Sequence, residues 1–174
     1  MQLIAEIYDI LKHGAGLNND ELAQTFDEWN TTELDSFLIE ITANIFAKKD
    51  DEESGAQGTP SGYLLDKILD KTGMKGTGRW TIQEAAERST PGPVMAAALD
   101  ARYLSGRKDE RVAASTILRG PSEIPNVERS QIIEDCKHAL FAAKICSYAQ
   151  GMCLIKAASE EHKWNVDLGE CSRI

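Results

Sequence analysis

"RSQIIEDCKHALFAAKICSYAQGMCLIKAASEEH", residues 129–162, decides how this chain folds. Ile132, Ile133, Cys136, Leu140 and Ala143 recur at helical spacing along it. The run is rich in alanine and carries a single glycine, Gly151. Small side chains let neighbouring helices approach closely, so the run is expected to be the long central helix of a bundle.

Working outward, "RGPSEIPNVE" (119–128) reads as a linker from its glycine and two prolines. "TIQEAAERS" (81–89), "PVMAAALDARYLSG" (93–106) and "KDERVAASTIL" (108–118) read as helices, with Pro93 suited to a first helical turn. Nearer the N-terminus, Leu3, Ile7, Ile10 and Leu11 form an apolar stripe that "HGAG" (13–16) ends. Asn18 with Glu21 has the spacing of a capping box, and Asn30 with Glu33 repeats it ahead of "LDSFLIEITANIF" (34–46). In that segment Leu34, Phe37, Leu38, Ile41 and Ile45 are expected to mark one face. "KKDDEESGAQGTPSG" (48–62) has no period and reads as an exposed loop, and "YLLDKILDKTG" (63–73) as a short helix closed by Gly73. No run alternates β-branched residues as a sheet requires, so the fold class expected is all-α.

The chain has 174 residues, 42% of them apolar, which suits one domain with a packed core. Its net charge of −9 argues against general nucleic-acid binding and against an anionic membrane surface. "MQLIAEIYDI" lacks the basic start and small-residue cleavage site of a signal peptide, and no stretch reaches the length of a membrane span. Four cysteines without C-x-x-C spacing are expected as free thiols; Cys146 and Cys153, seven apart on one helix, are expected in the core. His13, His138 and His162 are scattered at no metal-ligand spacing, and no nucleophilic triad is supported.

One stretch departs from this helical pattern. "KTGMKGTGRW" (71–80) packs three glycines among Lys71, Lys75, Thr77 and Arg79, and with Lys67 the cations recur every four residues. A P-loop would need Lys and Ser/Thr where Arg79 and Trp80 stand, and a strand ahead of it. The glycines at 73, 76 and 78 do not fit a dinucleotide fingerprint either. Two readings stay open from the residues alone. The loop amides, the Thr77 hydroxyl and the Lys75 ammonium converge on an oxyanion, or the stretch is a helix-connecting turn with solvated cations. Arg102 likewise is either a bidentate anion ligand or the partner of Asp100 or Glu110 in a surface ion pair.

Four blocks in order, "ELDSFLIEITANIF", "LDKTGMKGTGRWT", "LDARYLSGRKDER" and "KICSYAQGM", closely resemble the C-terminal all-helical domain of the 6-phosphogluconate dehydrogenases, in its plant or algal form. The resemblance runs over residues 1–174. It implies an NADP-dependent oxidative decarboxylation of 6-phosphogluconate to ribulose 5-phosphate in the pentose phosphate pathway, by a homodimer. It implies that Lys75, Thr77 and Arg102 bind the substrate phosphate. Arg79 stands where the family more often has lysine. The family's dinucleotide-binding domain and its catalytic lysine and glutamate are expected upstream of Met1, and a tail that reaches the partner's site is expected beyond Ile174. The chain is thus read as a fragment that binds no cofactor by itself, is inactive alone, and resides in the cytoplasm, with a plastid as the alternative. The competing function is a non-catalytic helical dimerisation or interaction module derived from the same family.

Overall fold

The computed structural model describes residues 1–50, 62–73, 75–120 and 127–173. Among these residues eight α-helices follow in order: α1 (Gln2–Asp9), α2 (Asn19–Trp29), α3 (Phe37–Ala47), α4 (Gly78–Glu87), α5 (Pro93–Gly106), α6 (Lys108–Ser115), α7 (Arg129–His162) and α8 (Leu168–Arg173). Among the described residues the only β-type pairing is an isolated bridge between Lys49 and Tyr63. The all-α expectation therefore holds. Most of the 48–62 loop and of the 119–128 linker lies outside the described residues.

The chain divides into two compact units, Met1–Asp70 with Gly120–Phe141, and Lys71–Arg119 with Ala142–Ile174. Each is described separately. Helix α7 contributes to both, as a 34-residue element.

In the first unit, α1 runs into a π turn at Ile10–Gly14, and Gly16 takes φ +70, a conformation glycine reaches at no steric cost. The Asn18 capping box is present: the Asn18 side chain accepts from the Glu21 amide (3.0 Å) and Glu21 accepts from the Asn18 amide (2.8 Å). Ile7, Leu11, Leu17, Leu22, Phe26, Trp29 and Leu34 pack with Ile39, Ala43 and Phe46, and α7 adds Cys136 and Leu140. Phe26 meets Phe46 edge-on at 5.1 Å, a favoured aromatic geometry.

Three expectations for this unit are corrected. Asn30 and Glu33 do not form a second capping box. Asn30 ends α2 and its Oδ1 accepts from the Ser36 amide (3.0 Å), while Ser36 is the cap of α3, accepting from the Ile39 amide (3.3 Å). The buried face of α3 is Ile39, Thr42, Ala43 and Phe46, whereas Phe37 is 72% exposed and Ile45 48%. The helix is apolar nearly all round, so its period alone does not select the face; packing against α2 does. Finally, 63–73 is not a helix beyond a 3-10 turn at Leu64–Lys67. One turn without a buried face is marginal in water. Here the polar side chains are drawn outward: Asp66 takes Lys12 (2.5 Å) and Asn19 (3.0 Å), and Lys67 takes the buried Asp50 (2.5 Å).

In the second unit, α4 and α5 are joined by a tight turn in which Ser89 has φ 49 and Pro93 occupies the first turn of α5. Ala85 and Leu99 are its buried apolar residues from these helices. Gln150 of α7 accepts from the Val94 amide (3.0 Å), and Arg88 links α4 to Glu161 (3.2 Å) and His162 (3.1 Å) near the end of α7. Cys146 and Cys153 are exposed rather than in the core. They share a helical face as expected; on other faces of α7, Ile145 (53%) and Tyr148 (59%) are also open to solvent.

Candidate functional site

The glycine loop lies along one side of α5, in contact with it at three levels. Lowest in sequence, a Cβ at Gly78 would sit 3.4 Å from Leu99 Cδ1, so the start of α4 rests against that leucine. One turn on, Arg102 Nη1 donates to the Lys75 carbonyl (2.5 Å), and the Thr72 hydroxyl donates to the Arg102 carbonyl (3.4 Å). Another turn on, the Thr72 amide donates to Ser105 Oγ (3.1 Å), and a Cβ at Gly106 would lie 3.3 Å from the Thr72 carbonyl. Leu99, Arg102 and Ser105–Gly106 are spaced three to four apart, one stripe of a helix.

Within the loop, Gly76 has φ +82, which turns the chain back toward α4. Thr77 is the cap residue of α4, yet its hydroxyl does not cap the helix; only its carbonyl is engaged, by the Thr81 amide (2.9 Å) and hydroxyl (3.0 Å). The first-turn amides of α4 have no intrahelical acceptor, as at any helix start. Lys75 and Thr77 are exposed and Arg102 is partly buried. Among the described residues neither Lys75 nor Arg102 forms an ion pair, so the surface pairing of Arg102 with Asp100 or Glu110 is not what the structure contains. Glu110 is instead 3.6 Å from Arg107.

The structure thus brings the Arg102 guanidinium to the backbone of Lys75, with Thr77 two residues further along the same loop. One donor of Arg102 is fixed by the loop carbonyl and the remaining N–H groups of its fork are left for another acceptor. Lys67 does not join this group: it belongs to the Asp50 pair in the first unit, and no helix carries the four evenly spaced cations on one face. Sequence reasoning missed Thr72, Ser105 and Arg111. Arg111 Nε and Nη2 donate to the Leu104 and Ser105 carbonyls (3.1 Å each), closing the C-terminal end of α5. The three-residue spacing of Ser105 from Arg102 is the signal that was available.

No group of three metal-ligating side chains occurs among the described residues. His13 and His138 each lie near an acid one helical turn earlier, Asp9 (3.7 Å) and Glu134 (3.2 Å), and His162 lies near Glu161 (3.9 Å). No described helix is long and apolar enough to cross a membrane.

An all-helical domain that holds a glycine-rich cationic loop against a helix with its own arginine is the class of structure these observations define. A family profile described as 6-phosphogluconate dehydrogenase, C-terminal domain, matches residues 1–174, and the chain belongs to that family. It is 57% identical over its whole length to a decarboxylating 6-phosphogluconate dehydrogenase of Oryza sativa subsp. japonica, covering 35% of that protein. It is 48% identical over its whole length to the decarboxylating enzyme of Shigella dysenteriae, covering 37% of it. A solved Plasmodium falciparum 6-phosphogluconate dehydrogenase, described in its apo form and in complex with NADP+ and with 6-phosphogluconate, superposes with a TM-score of 0.88 at 46% identity. That match covers 99% of this chain and 36% of the solved one. The chain therefore spans about a third of the length of these relatives.

Proposed function

We infer that this chain is the substrate-phosphate part of an NADP-dependent, decarboxylating 6-phosphogluconate dehydrogenase. The observation that carries the reading is the Arg102–Lys75 link. In a protein of net charge −9, two cations with no ionic partner among the described residues are drawn to one glycine loop, beside a threonine whose hydroxyl is not used to cap its helix. A phosphomonoester supplies the missing charge. Lys75 acts as a mobile point charge, Arg102 as an oriented fork, and Thr77 and the first-turn amides of α4 as neutral donors. Charge-assisted hydrogen bonds of this kind contribute ~1.5–3 kcal/mol each.

Anchoring the phosphate fixes one end of the sugar acid, so that the carbons to be oxidised and decarboxylated are presented in a constant orientation. NADP, in the complete enzyme, accepts the hydride. The described residues do not fit that cofactor: no strand leads into a glycine turn among them, and no step through NADP is assigned to this chain. The reading includes a homodimer in the complete enzyme, supported by the open apolar side chains of α3 and α7. The cytoplasm is its compartment, with a plastid as the alternative because relatives from Spinacia oleracea and Arabidopsis thaliana carry chloroplastic names. The same open faces favour, as a second reading, a non-catalytic dimerisation module.

Titration calorimetry of the purified chain at low ionic strength tests the first reading. Weak, saturable binding of 6-phosphogluconate and of inorganic phosphate is expected, lost in Lys75→Glu. A chain that takes up neither ligand sinks it and leaves the dimerisation module.

A further inference from the structure

We propose that Ser105 is a positioning residue for the phosphate-binding loop, acting through the Thr72 amide. The proposal rests on the reading of that loop as an anion site and extends it to residues that touch no ligand. Four contacts tie Thr72 and Lys75 to the last turns of α5. The Thr72 amide binds Ser105 Oγ (3.1 Å), the Thr72 hydroxyl the Arg102 carbonyl (3.4 Å), the Thr72 carbonyl lies over Gly106, and the Lys75 carbonyl takes Arg102 Nη1 (2.5 Å).

Only the first of these is a hydrogen bond between a side chain of α5 and the loop that leaves Arg102 out. That distinction matters because Arg102 has two tasks. If its guanidinium alone held the loop, any rotation toward an anion would release Lys75. With Thr72 latched to Ser105, the loop keeps its place while the remaining donors of Arg102 turn to the ligand. Ser105 is itself held: the Arg111 guanidinium binds the carbonyls of Leu104 and Ser105 from the far side of the turn (3.1 Å each). Those carbonyls are at the C-terminal end of α5, where a cation also complements the helix dipole. The pathway runs from Arg111 through the end of α5 to Ser105, then Thr72, and three residues later Lys75. Gly106 completes the seat, because a side chain there would press on the Thr72 carbonyl at 3.3 Å.

The test compares the wild-type chain with Ser105→Ala and Ser105→Thr. Three quantities are read: phosphate and 6-phosphogluconate affinity by calorimetry, hydrogen exchange of the Thr72 amide, and the thermal midpoint. Ser105→Ala is expected to weaken both ligands by about three- to tenfold, the range one neutral hydrogen bond supplies. It should speed exchange at Thr72 while leaving the thermal midpoint unchanged or slightly higher, since alanine favours the helix. Ser105→Thr, which keeps the hydroxyl, should restore both affinity and protection. A merely structural serine would move the midpoint and not the affinity. If wild type binds phosphate and Ser105→Ala binds it equally well, the positioning role is wrong and the anion site stands. If wild type binds neither ligand, the anion site is wrong and the positioning role falls with it.

Discussion

At the scale of single residues, Arg102 and Asn18 make opposite kinds of prediction. Arg102 is exposed enough to meet a ligand and its side chain is tied to the loop by one bond, so removing it costs recognition more than folding. In a complete enzyme bearing this segment, Arg102→Ala is expected to raise KM for 6-phosphogluconate by tenfold or more, about 1.4 kcal/mol or above. A smaller loss in kcat is expected because phosphate binding also orients the reacting end. Arg102→Lys should rescue only partly, since an ammonium cannot hold both the Lys75 carbonyl and an anion in one planar fork. Steady-state kinetics checks both, and a change confined to kcat would contradict the assignment. Asn18 works on stability alone. Asn18→Ala removes the cap of α2 and should cost about 1 kcal/mol in denaturant unfolding.

Glu21, its partner in the capping box, has its carboxyl held below the ordinary glutamate range, first by the Asn18 amide and then by Arg129. A depressed folded-state value means that its contribution is present above the unfolded glutamate range and is lost as pH falls through the folded value. Stability should therefore decline on acidification below about pH 4.5, the ordinary value. Glu21→Gln should flatten that decline; equal slopes in the two proteins would rule the linkage out.

At the scale of elements, the loop and α5 behave as one piece. Gly76 is the point where its backbone is least tolerant, with φ +82 and open space where a Cβ would be. The cost of Gly76→Ala is therefore conformational, about 1–2 kcal/mol, and not steric. It should fall on the bound loop, weakening phosphate binding more than it lowers the thermal midpoint. A substitution in the first unit tests the reverse. Phe26 is fully buried and touches Trp29 and Phe46, so Phe26→Ala should cost about 3–5 kcal/mol. The α3 helix shows what an element's own sequence leaves undecided. Phe37, Leu38, Ile41 and Ile45 and the set Ile39, Ala43 and Phe46 each fit a helical stripe. Only the second is buried, because Ser36 caps the helix in a register that turns it toward α2.

For the molecule as a whole, activity and association are the informative measurements. The chain mixed with NADP and 6-phosphogluconate is expected to form no NADPH. Hydride transfer and the accompanying proton transfers need a held nicotinamide and positioned acid–base groups, which the described residues do not supply. Turnover at ~1–10³ s⁻¹, the range typical of enzymes, would overturn the fragment reading. Phe37 at 72%, Ile45 at 48%, Ile145 at 53% and Tyr148 at 59% leave apolar surface in water. Such surface predicts concentration-dependent association of the isolated chain, visible by sedimentation velocity. A strictly monomeric chain across the micromolar range would argue that these side chains are not an interface.

The amino-acid sequence by itself determined most of the helices, but not the non-helical 63–73 segment or α8. The span of α7, the Asn18–Glu21 cap, the glycine end of α1 and Pro93 at the start of α5 all arise from interactions within a few residues, which spacing and side-chain chemistry express directly. It also drew Lys75, Thr77 and Arg102 together, but through resemblance to a family. From the residues alone, an anion cradle and a solvated turn both stayed open. Only the tertiary structure decided which face of α3 is buried, that Lys67 goes to Asp50 and leaves the basic stretch, that Cys146 and Cys153 lie in the open, and that Ser105 receives the Thr72 amide. Each of these joins positions far apart in the chain or chooses between equivalent faces. Local periodicity carries no information on that choice, because its outcome is set by what else must be buried and hydrogen-bonded at the same time.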